Sequence, residues 1–184
     1  MQDQAEPLQL TQSWVERVVI GLNLCPFAKA VQTRGQLRYR LSVATGRAAL
    51  LVDLRDELAA LRDADPAVVD TTLLVHPHVL QDFYDYNDFL AEADQLLLEL
   101  GLDGELQIAS FHPDYCFADS QPDDVANYTN RSPFPTLHLL REASVSRAVD
   151  TFPDAARIYE RNIATLRALE PEFLRRLLRG TTAK

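Results

Sequence analysis

Three strand-like segments are spaced through the middle of the chain with room for a helix between each pair, and this spacing constrains the fold more than any other feature. Residues 36–43 alternate apolar and polar side chains, which is the period of a strand with one buried face. Residues 71–75 form a short apolar, β-branched run typical of a strand buried on both faces. Residues 105–111 are predicted to form the third strand, which ends at His112-Pro113.

Both intervening segments are predicted to be helices. Residues 47–62 are rich in strong helix formers with leucines on one side, and Asp65-Pro66 closes the segment. Residues 82–100 repeat apolar side chains at helical spacing, with Gly101 as the C′ residue. Because strand–helix–strand units favour right-handed crossovers, the sequence predicts an α/β fold in which a small, partly parallel sheet of about three or four strands packs with about five or six helices. An antiparallel, split arrangement of the strands is the alternative.

Further helices are predicted on both flanks of this region. They cover residues 7–20, about 26–31, 132–148 and a C-terminal stretch from about Pro153 that is interrupted at Pro171. In the third of these, Ser132 is the predicted N-cap and Pro133 the first helical residue, a position where proline loses no internal hydrogen bond.

Length and composition narrow the class of protein. A chain of 184 residues with 47% hydrophobic content can bury one substantial core, so we expect a single domain over residues 1–184. No apolar run approaches the roughly 20 residues needed to cross a bilayer, and the N-terminus lacks the features of a secretory signal, so we expect a cytoplasmic protein with no membrane span. The formal net charge of -9 repels phosphate backbones and disfavours general nucleic-acid binding. The sequence is compatible with either a monomer or a homo-oligomer.

Histidines follow two of the predicted strands at the points where the strands end. His76 follows the second strand and His112 the third, and each precedes a proline. If these strands are parallel, both imidazoles lie at the sheet edge where α/β proteins bind ligands. We therefore predict a site at that edge with His112 as the proton-transfer group, assisted by Asp114 or Tyr115. The alternative is that His-Pro simply ends each strand and the histidine bonds a nearby backbone group.

The segment that follows carries the candidate anion ligands. Asn130, Arg131 and Ser132 stand at the start of the helix predicted over 132–148, where free amides, the helix dipole and a guanidinium would meet a carboxylate or phosphate. On that helix, His138 and Arg141 are predicted to share one face, directed toward the core. A structural pair between Arg141 and an acidic side chain is the alternative for that residue.

The sulfur chemistry of the chain centres on Cys25. It directly precedes the predicted short helix that begins at Pro26, and the helix dipole there favours a reactive thiolate. The alternative is that Cys25 is a small buried apolar residue. The other cysteine, Cys116, forms no CxxC pair with it, so both are expected to be free thiols.

A metal site built from imidazoles is a weaker alternative. His76 and His78 are closely spaced, and the remaining candidates are His112 and His138, with Asp114 or Glu142. The chain contains no HExxH motif and no paired CxxC. It also has no GxGxxG, no phosphate-binding GxxxxGK[ST] and no GxSxG elbow, so the common nucleotide-fold and serine-hydrolase signatures are absent.

Three long motifs together resemble one protein family. They are GLNLCPFAK at 21–29, QIASFHPDY at 107–115 and YTNRSPFPTLHLLRE at 128–142. On these motifs the chain resembles, over almost its whole length, the bacterial domain-of-unknown-function family 1415. The resemblance implies no settled activity, cofactor or catalytic residue. Cys116 departs from the pattern, because relatives are expected to have a non-cysteine residue such as Gln there, and this weakens a paired role for Cys25 and Cys116.

The favoured functional hypothesis is an enzyme that acts on a small anionic metabolite at the C-terminal edge of the sheet. One alternative is a non-catalytic binding or assembly protein, in which the His-Pro turns are structural and the acidic aromatic segment 82–89 meets a partner. The other is a metal-binding protein that uses histidine side chains. The sequence leaves the cofactor unknown.

Overall fold

The computed structural model of the chain describes residues 5–151 and 157–179. The strands are β1 Leu37–Leu41, β2 Thr71–Val75, β3 Leu106–Phe111 and β4 Thr136–Arg141. The α-helices of the described residues are α1 Ala5–Trp14, α2 Ala28–Thr33, α3 Arg47–Asp63, α4 Phe83–Glu99, α5 Glu142–Thr151, α6 Ile158–Arg167 and α7 Pro171–Leu178. A π-helical segment, Val15–Ile20, continues α1, and a 3-10 helix covers Val125–Thr129.

The four strands form one mixed sheet in the order β1-β2-β4-β3. β1 and β2 pair in parallel, whereas β4 runs antiparallel to both β2 and β3. Although β2 and β3 are not neighbours, they therefore point in the same direction and end at the same edge of the sheet. The predicted α/β fold with a partly parallel sheet is confirmed.

The sheet separates two apolar cores. Side chains of α3 and α4 pack on one face against Leu74, Leu137 and Leu139, and all three of these leucines are fully buried. The second core, on the other face, contains Trp14 and Leu73 together with residues of α6 and α7. Because side chains alternate along a strand, β4 contributes leucines to the first core and presents its intervening side chains to the second face.

The central helices and strands form where the sequence predicts them. β2 has the predicted bounds, α3 ends one residue later than predicted, and α4 is one residue shorter than predicted at each end. The Asp82 carboxylate caps α4 by accepting hydrogen bonds from the backbone N–H groups of Tyr84 and Asp85, at 2.8 and 3.1 Å. Gly101 follows α4 at a φ of 66°, a left-handed conformation that suits a residue without Cβ. No helix within residues 5–151 or 157–179 has the length and apolar character needed to cross a membrane.

The helix predicted over residues 132–148 is wrong in its first half. Thr136–Arg141 is strand β4, and helix α5 begins only at Glu142. Pro133 and Pro135 explain the difference, because a residue before proline is pushed away from the helical region and the chain leaves this turn extended. The alternating leucines that follow then fill the vacant position between β2 and β3.

Smaller differences from prediction occur in the flanking helices. The last turn of the helix predicted over 7–20 is π-helical, and the short helix expected at Pro26 begins two residues later. The predicted start of the C-terminal helix at Pro153 lies outside the described residues, and α6 begins at Ile158. The interruption at Pro171 is confirmed, because that proline is the first residue of α7.

Candidate functional site

A cavity of about 330 Å³ lies on the face of the sheet opposite α3 and α4. All four strands contribute to its floor. The row nearest one end consists of direct cross-strand partners, namely Leu37, Thr71, Leu140 and Gln107. Leu73 and His138, which are partners in another row, and Phe111 complete the floor. The cavity therefore depends on the register of the whole sheet.

Three helical segments wall the cavity. The wall residues are Trp14, Val15 and Val19 of α1 and its π-helical extension, Cys25, Phe27, Ala28 and Val31 in and before α2, and Ser144, Val145 and Ala148 of α5. The ring of Trp14 packs edge-on against Phe111 with centroids 5.3 Å apart. The loop before α2 is held by Asn162 of α6, whose Nδ2 donates to the carbonyl of Leu24 at 2.8 Å. A mostly apolar lining of this kind is typical of small-molecule sites.

His138 is the central polar side chain of the floor. Its Nε2 lies 2.7 Å from Oγ1 of Thr71, and the same Oγ1 donates to the carbonyl of Leu139 at 2.6 Å. Burial lowers the pKa of His138 to about 4, so the ring is neutral near pH 7. It was predicted to share a helix face with Arg141, but on β4 the two side chains point to opposite faces of the sheet.

A few other polar groups line the cavity. Asp70 accepts a hydrogen bond from Ser144 at 2.6 Å. The Gln107 side chain makes no hydrogen bond to any residue in the part of the chain that the structure describes. Cys25 is a half-buried free thiol in the cavity wall. Its reactivity stays a prediction.

Arg141 also borders the cavity, but its guanidinium forms hydrogen bonds on the opposite face of the sheet. Nη2 donates to the carbonyls of Leu61 and Ala64, which stand at the C-terminal end of α3, and to the carbonyl of Val69. The carbonyls of Leu61 and Ala64 have no partners within the helix, so the guanidinium caps its C-terminal end. None of the ion pairs among the described residues includes Arg141. The structural partner is thus a set of carbonyls and not the acidic side chain considered from the sequence.

The two histidines at the strand ends lie together, as parallel β2 and β3 require. His76 and His112 are both fully buried and both contact the ring of Tyr86, with centroid distances of 5.8 and 5.1 Å. The Tyr86 hydroxyl donates to the carbonyl of Thr136 and accepts from the backbone N–H of Phe111, at 2.9 and 3.2 Å. One phenol thereby ties α4 to β3 and β4.

Main-chain groups occupy both ring nitrogens of His112. Nε2 donates to the carbonyl of Leu80 at 3.1 Å, and Nδ1 accepts from the backbone N–H of Asp114 at 3.0 Å. Burial lowers the pKa of His112, which keeps the ring neutral. The geometry favours a structural role for this imidazole. Its predicted role in proton transfer, with Asp114 or Tyr115, stays a prediction.

Only one of the two ring nitrogens of His76 has a hydrogen-bond partner among the described residues. Its Nδ1 donates to the carbonyl of Val79 at 3.1 Å, but its buried Nε2 has no hydrogen-bond partner among the described residues. A second proton would therefore be both buried and unpaired. Burial is the main reason why the pKa of His76 falls from 6.5 to about 4.

The Asn-Arg-Ser turn lies beside His112, although the helix start predicted there does not exist. The backbone N–H of His112 donates to the carbonyl of Asn130 at 3.2 Å, and Asn130 Nδ2 donates to Ser110 at 3.2 Å. Arg131 donates through Nε to the carbonyl of Tyr115 and through Nη2 to that of Pro122, at 3.2 and 2.6 Å. These contacts hold the long loop before β4 in place.

Two further contacts fix this turn. The guanidinium carbon of Arg131 lies 4.8 Å from the ring centroid of Tyr128, within the range of a cation–π contact. Ser132 Oγ donates to the carbonyl of Phe134 at 2.6 Å. Anion binding by Asn130, Arg131 and Ser132 stays a prediction.

The histidines do not assemble a metal site in the described ranges. Residues 5–151 and 157–179 contain no group of three or more His, Cys, Asp or Glu side chains placed to hold a metal ion. His76 and His112 lie on the α4 side of the sheet edge, whereas His138 lies on the cavity face and His78 is exposed. The sequence does not predict Trp14, Thr71 and Gln107 as cavity residues, because it predicts a helix at the position of β4, the strand that completes the cavity floor.

Removal of the Tyr86 hydroxyl tests the strand-end cluster. We expect Tyr86→Phe to lower the free energy of unfolding by about 1 to 3 kcal/mol, because it leaves a buried carbonyl and a buried N–H unpaired. Tyr84→Phe, on the same helix but 79% exposed, is the matched control and should change stability by about 0.5 kcal/mol or less. Urea unfolding measures both. Equal effects would contradict the anchoring role.

The lowered pKa of His76 predicts a loss of stability in acid. The folded pKa of about 4 lies below the ordinary 6.5, so the unfolded chain binds the proton first as the pH falls. The stabilisation is full above about pH 6.5 and decreases toward about pH 4, with roughly 1 to 2 kcal/mol lost between pH 7 and pH 5. In urea unfolding, His76→Asn should reduce that pH difference by this amount, whereas exposed His78→Asn should preserve it. An unchanged difference in His76→Asn would refute the assignment.

Comparison with known proteins assigns the chain to a family. No curated protein matches it, and no solved structure matches it. A family model described as "Protein of unknown function (DUF1415)" matches residues 6–176, which include the three long motifs and nearly all of the described helices and strands. The chain therefore belongs to the DUF1415 family of proteins of unknown function.

Proposed function

We propose that this protein binds a small, mainly apolar molecule in the cavity between the sheet and helices α1, α2 and α5. The observation that carries the proposal is the cavity itself. It measures about 330 Å³, and its lining is predominantly aliphatic and aromatic. Small-molecule sites are concave, mostly apolar and of roughly 300 to 1,000 Å³, with a few polar groups that orient the ligand.

The polar groups of the cavity support a specific site over a packing defect. Nδ1 of His138 and the side-chain amide of Gln107 have no hydrogen-bond partner within the described ranges. Neither group is among the buried unpaired atoms, so both are accessible to solvent. Polar atoms in such a position retain hydrogen-bonding capacity for a ligand. Three residues singled out from the sequence, Cys25, His138 and Arg141, border this one cavity.

The single tryptophan makes binding measurable at the site. Trp14 is the only tryptophan of the chain, and its ring lines the cavity. We expect toluene and p-cresol to shift the one indole N–H resonance in the nuclear magnetic resonance spectrum of the labelled protein. If neither probe moves this resonance at concentrations up to its solubility limit, the proposed function is wrong.

A cavity-filling variant provides the mutational test. Ala148→Leu on α5 adds a branched side chain to the wall, and we expect it to weaken the binding of both probes by about tenfold or more, which is about 1.4 kcal/mol. Ala143→Leu, exposed on the same helix, is the matched control and should retain the affinity. Circular dichroism verifies that both variants fold. Equal affinities for the two variants would show that the probes bind elsewhere.

A second candidate function keeps the anionic metabolite at the strand-end edge. In this proposal Arg131 binds the anion, and His112 with Asp114 or Tyr115 transfers a proton. The observation in its favour is that the turn around Arg131 is bonded directly to His112 through main-chain groups. The fully buried and main-chain-bonded ring of His112 is the reason for ranking it second.

Inorganic phosphate tests the second candidate. We expect it to shift the amide resonances of Asn130 and Ser132, and Arg131→Gln to weaken the affinity by about tenfold, since a charge-assisted contact contributes roughly 1.5 to 3 kcal/mol. Arg62→Gln removes an exposed arginine elsewhere and is the control. If phosphate leaves these resonances in place, the strand-end anion site is absent.

A further inference from the structure

The hydrogen bonds around His138 specify what kind of ligand the cavity accepts. We infer that the cavity selects a ligand carrying a neutral hydrogen-bond donor, a hydroxyl or an N–H group, which donates to Nδ1 of His138. This inference rests on the proposed function, because it names the chemistry of the ligand that the same cavity binds.

The hydrogen bonds of Thr71 determine the tautomer of the His138 imidazole. A carbonyl oxygen only accepts hydrogen bonds, so the hydroxyl proton of Thr71 is used by the carbonyl of Leu139 at 2.6 Å. Thr71 Oγ1 can then only accept from Nε2 of His138, 2.7 Å away. Nε2 consequently carries the ring proton. In a neutral imidazole the other nitrogen, Nδ1, is a bare acceptor.

The alternation of side chains along β4 determines the direction of the free nitrogen of His138. Leu137 and Leu139 point into the core beneath α3 and α4, so strand alternation turns His138 to the cavity face. There the ring lies 6.0 Å from Phe111, centroid to centroid. No described residue bonds Nδ1, and Nδ1 is not one of the buried unpaired atoms, so this lone pair meets open space. The open space that His138 borders is the cavity.

The groups around His138 favour a neutral donor over an anion as the ligand. A carboxylate would face the lone pair of His138 and the carboxylate of Asp70 in a mostly apolar cavity, and all of these disfavour negative charge. Among the described residues that line the cavity, only Arg141 has a guanidinium, and this group directs Nη2 at the carbonyls that end α3. A ligand with no polar group would leave the acceptor on His138 unpaired, which costs affinity relative to a donor.

Three probes of nearly the same shape test the inference. Toluene has no polar group, p-cresol adds a hydroxyl donor, and p-toluate adds a carboxylate. With the Trp14 indole resonance as the readout, we expect p-cresol to bind about three- to tenfold more tightly than toluene, which is the value of one net hydrogen bond, and p-toluate to bind more weakly than p-cresol.

Substitutions of the acceptor separate hydrogen bonding from shape. His138→Phe keeps a planar ring but removes the acceptor, so the preference for p-cresol over toluene should disappear while toluene still binds. His138→Gln restores a side-chain acceptor and should recover part of the preference. Independently, long-range nitrogen–proton correlation spectra should show His138 protonated at Nε2, with the Nδ1 signal shifting on addition of p-cresol.

The outcomes distinguish the two proposals. Equal binding of p-cresol and toluene, or a ring protonated at Nδ1, overturns the acceptor inference and leaves the cavity site standing. Tighter binding of p-toluate also overturns it and favours anion binding at Arg141. Failure of all three probes overturns the proposed function and this inference with it.

Discussion

Antiparallel pairing of β4 with both β2 and β3 is the interaction on which the rest of the structure depends. It joins a parallel strand pair to an isolated strand and so makes the four-stranded sheet continuous. On one face it supplies the buried leucines that α3 and α4 cover, and on the other it supplies the floor of the cavity. Through the same pairing, β2 and β3 end at one edge, where Tyr86 links the strands to α4.

The two polar regions of the molecule differ in how far their hydrogen-bonding groups are satisfied. At the strand-end edge, the side chains of His112, Asn130 and Arg131 form hydrogen bonds with main-chain carbonyl and N–H groups, mainly those of the long loop. That arrangement stabilises an irregular segment which has little regular structure to pair its backbone groups. In the cavity, by contrast, the imidazole of His138 keeps an unused acceptor in an apolar setting. The unpaired Nε2 of His76 at the strand-end edge is buried, whereas the unused acceptor of His138 faces the cavity, and this accessibility makes the cavity the better candidate for ligand recognition.

Local patterns in the sequence predicted most of the helices and strands, because periodicity and end signals act over a few residues. The buried run 71–75, the leucine-faced helix over 47–62 and the helix end at Gly101 are examples. The prediction is wrong at 136–141. The leucines there belong to a central strand, but the preceding Ser-Pro is typical of a helix start. The secondary structure of that segment depends on pairing with strands that are distant in the sequence, and local sequence patterns carry no information about such partners. The cavity could not be predicted for the same reason, since its floor depends on the order of the strands in the sheet. The shared edge of the two His-Pro turns could be predicted, because it depends only on the direction of the strands.

The central place of β4 also bears on how the chain assembles during synthesis. Thr71 and His138, which are hydrogen-bonded in the sheet, are separated by 67 positions along the chain, and such long-range closure makes β-structure slow to form. β2 and β3 leave the ribosome well before the strand that joins them. Until β4 has emerged and paired with them, β2 and β3 each have an open edge that another chain can pair with, so a nascent chain is exposed to aggregation between the emergence of residues 111 and 141.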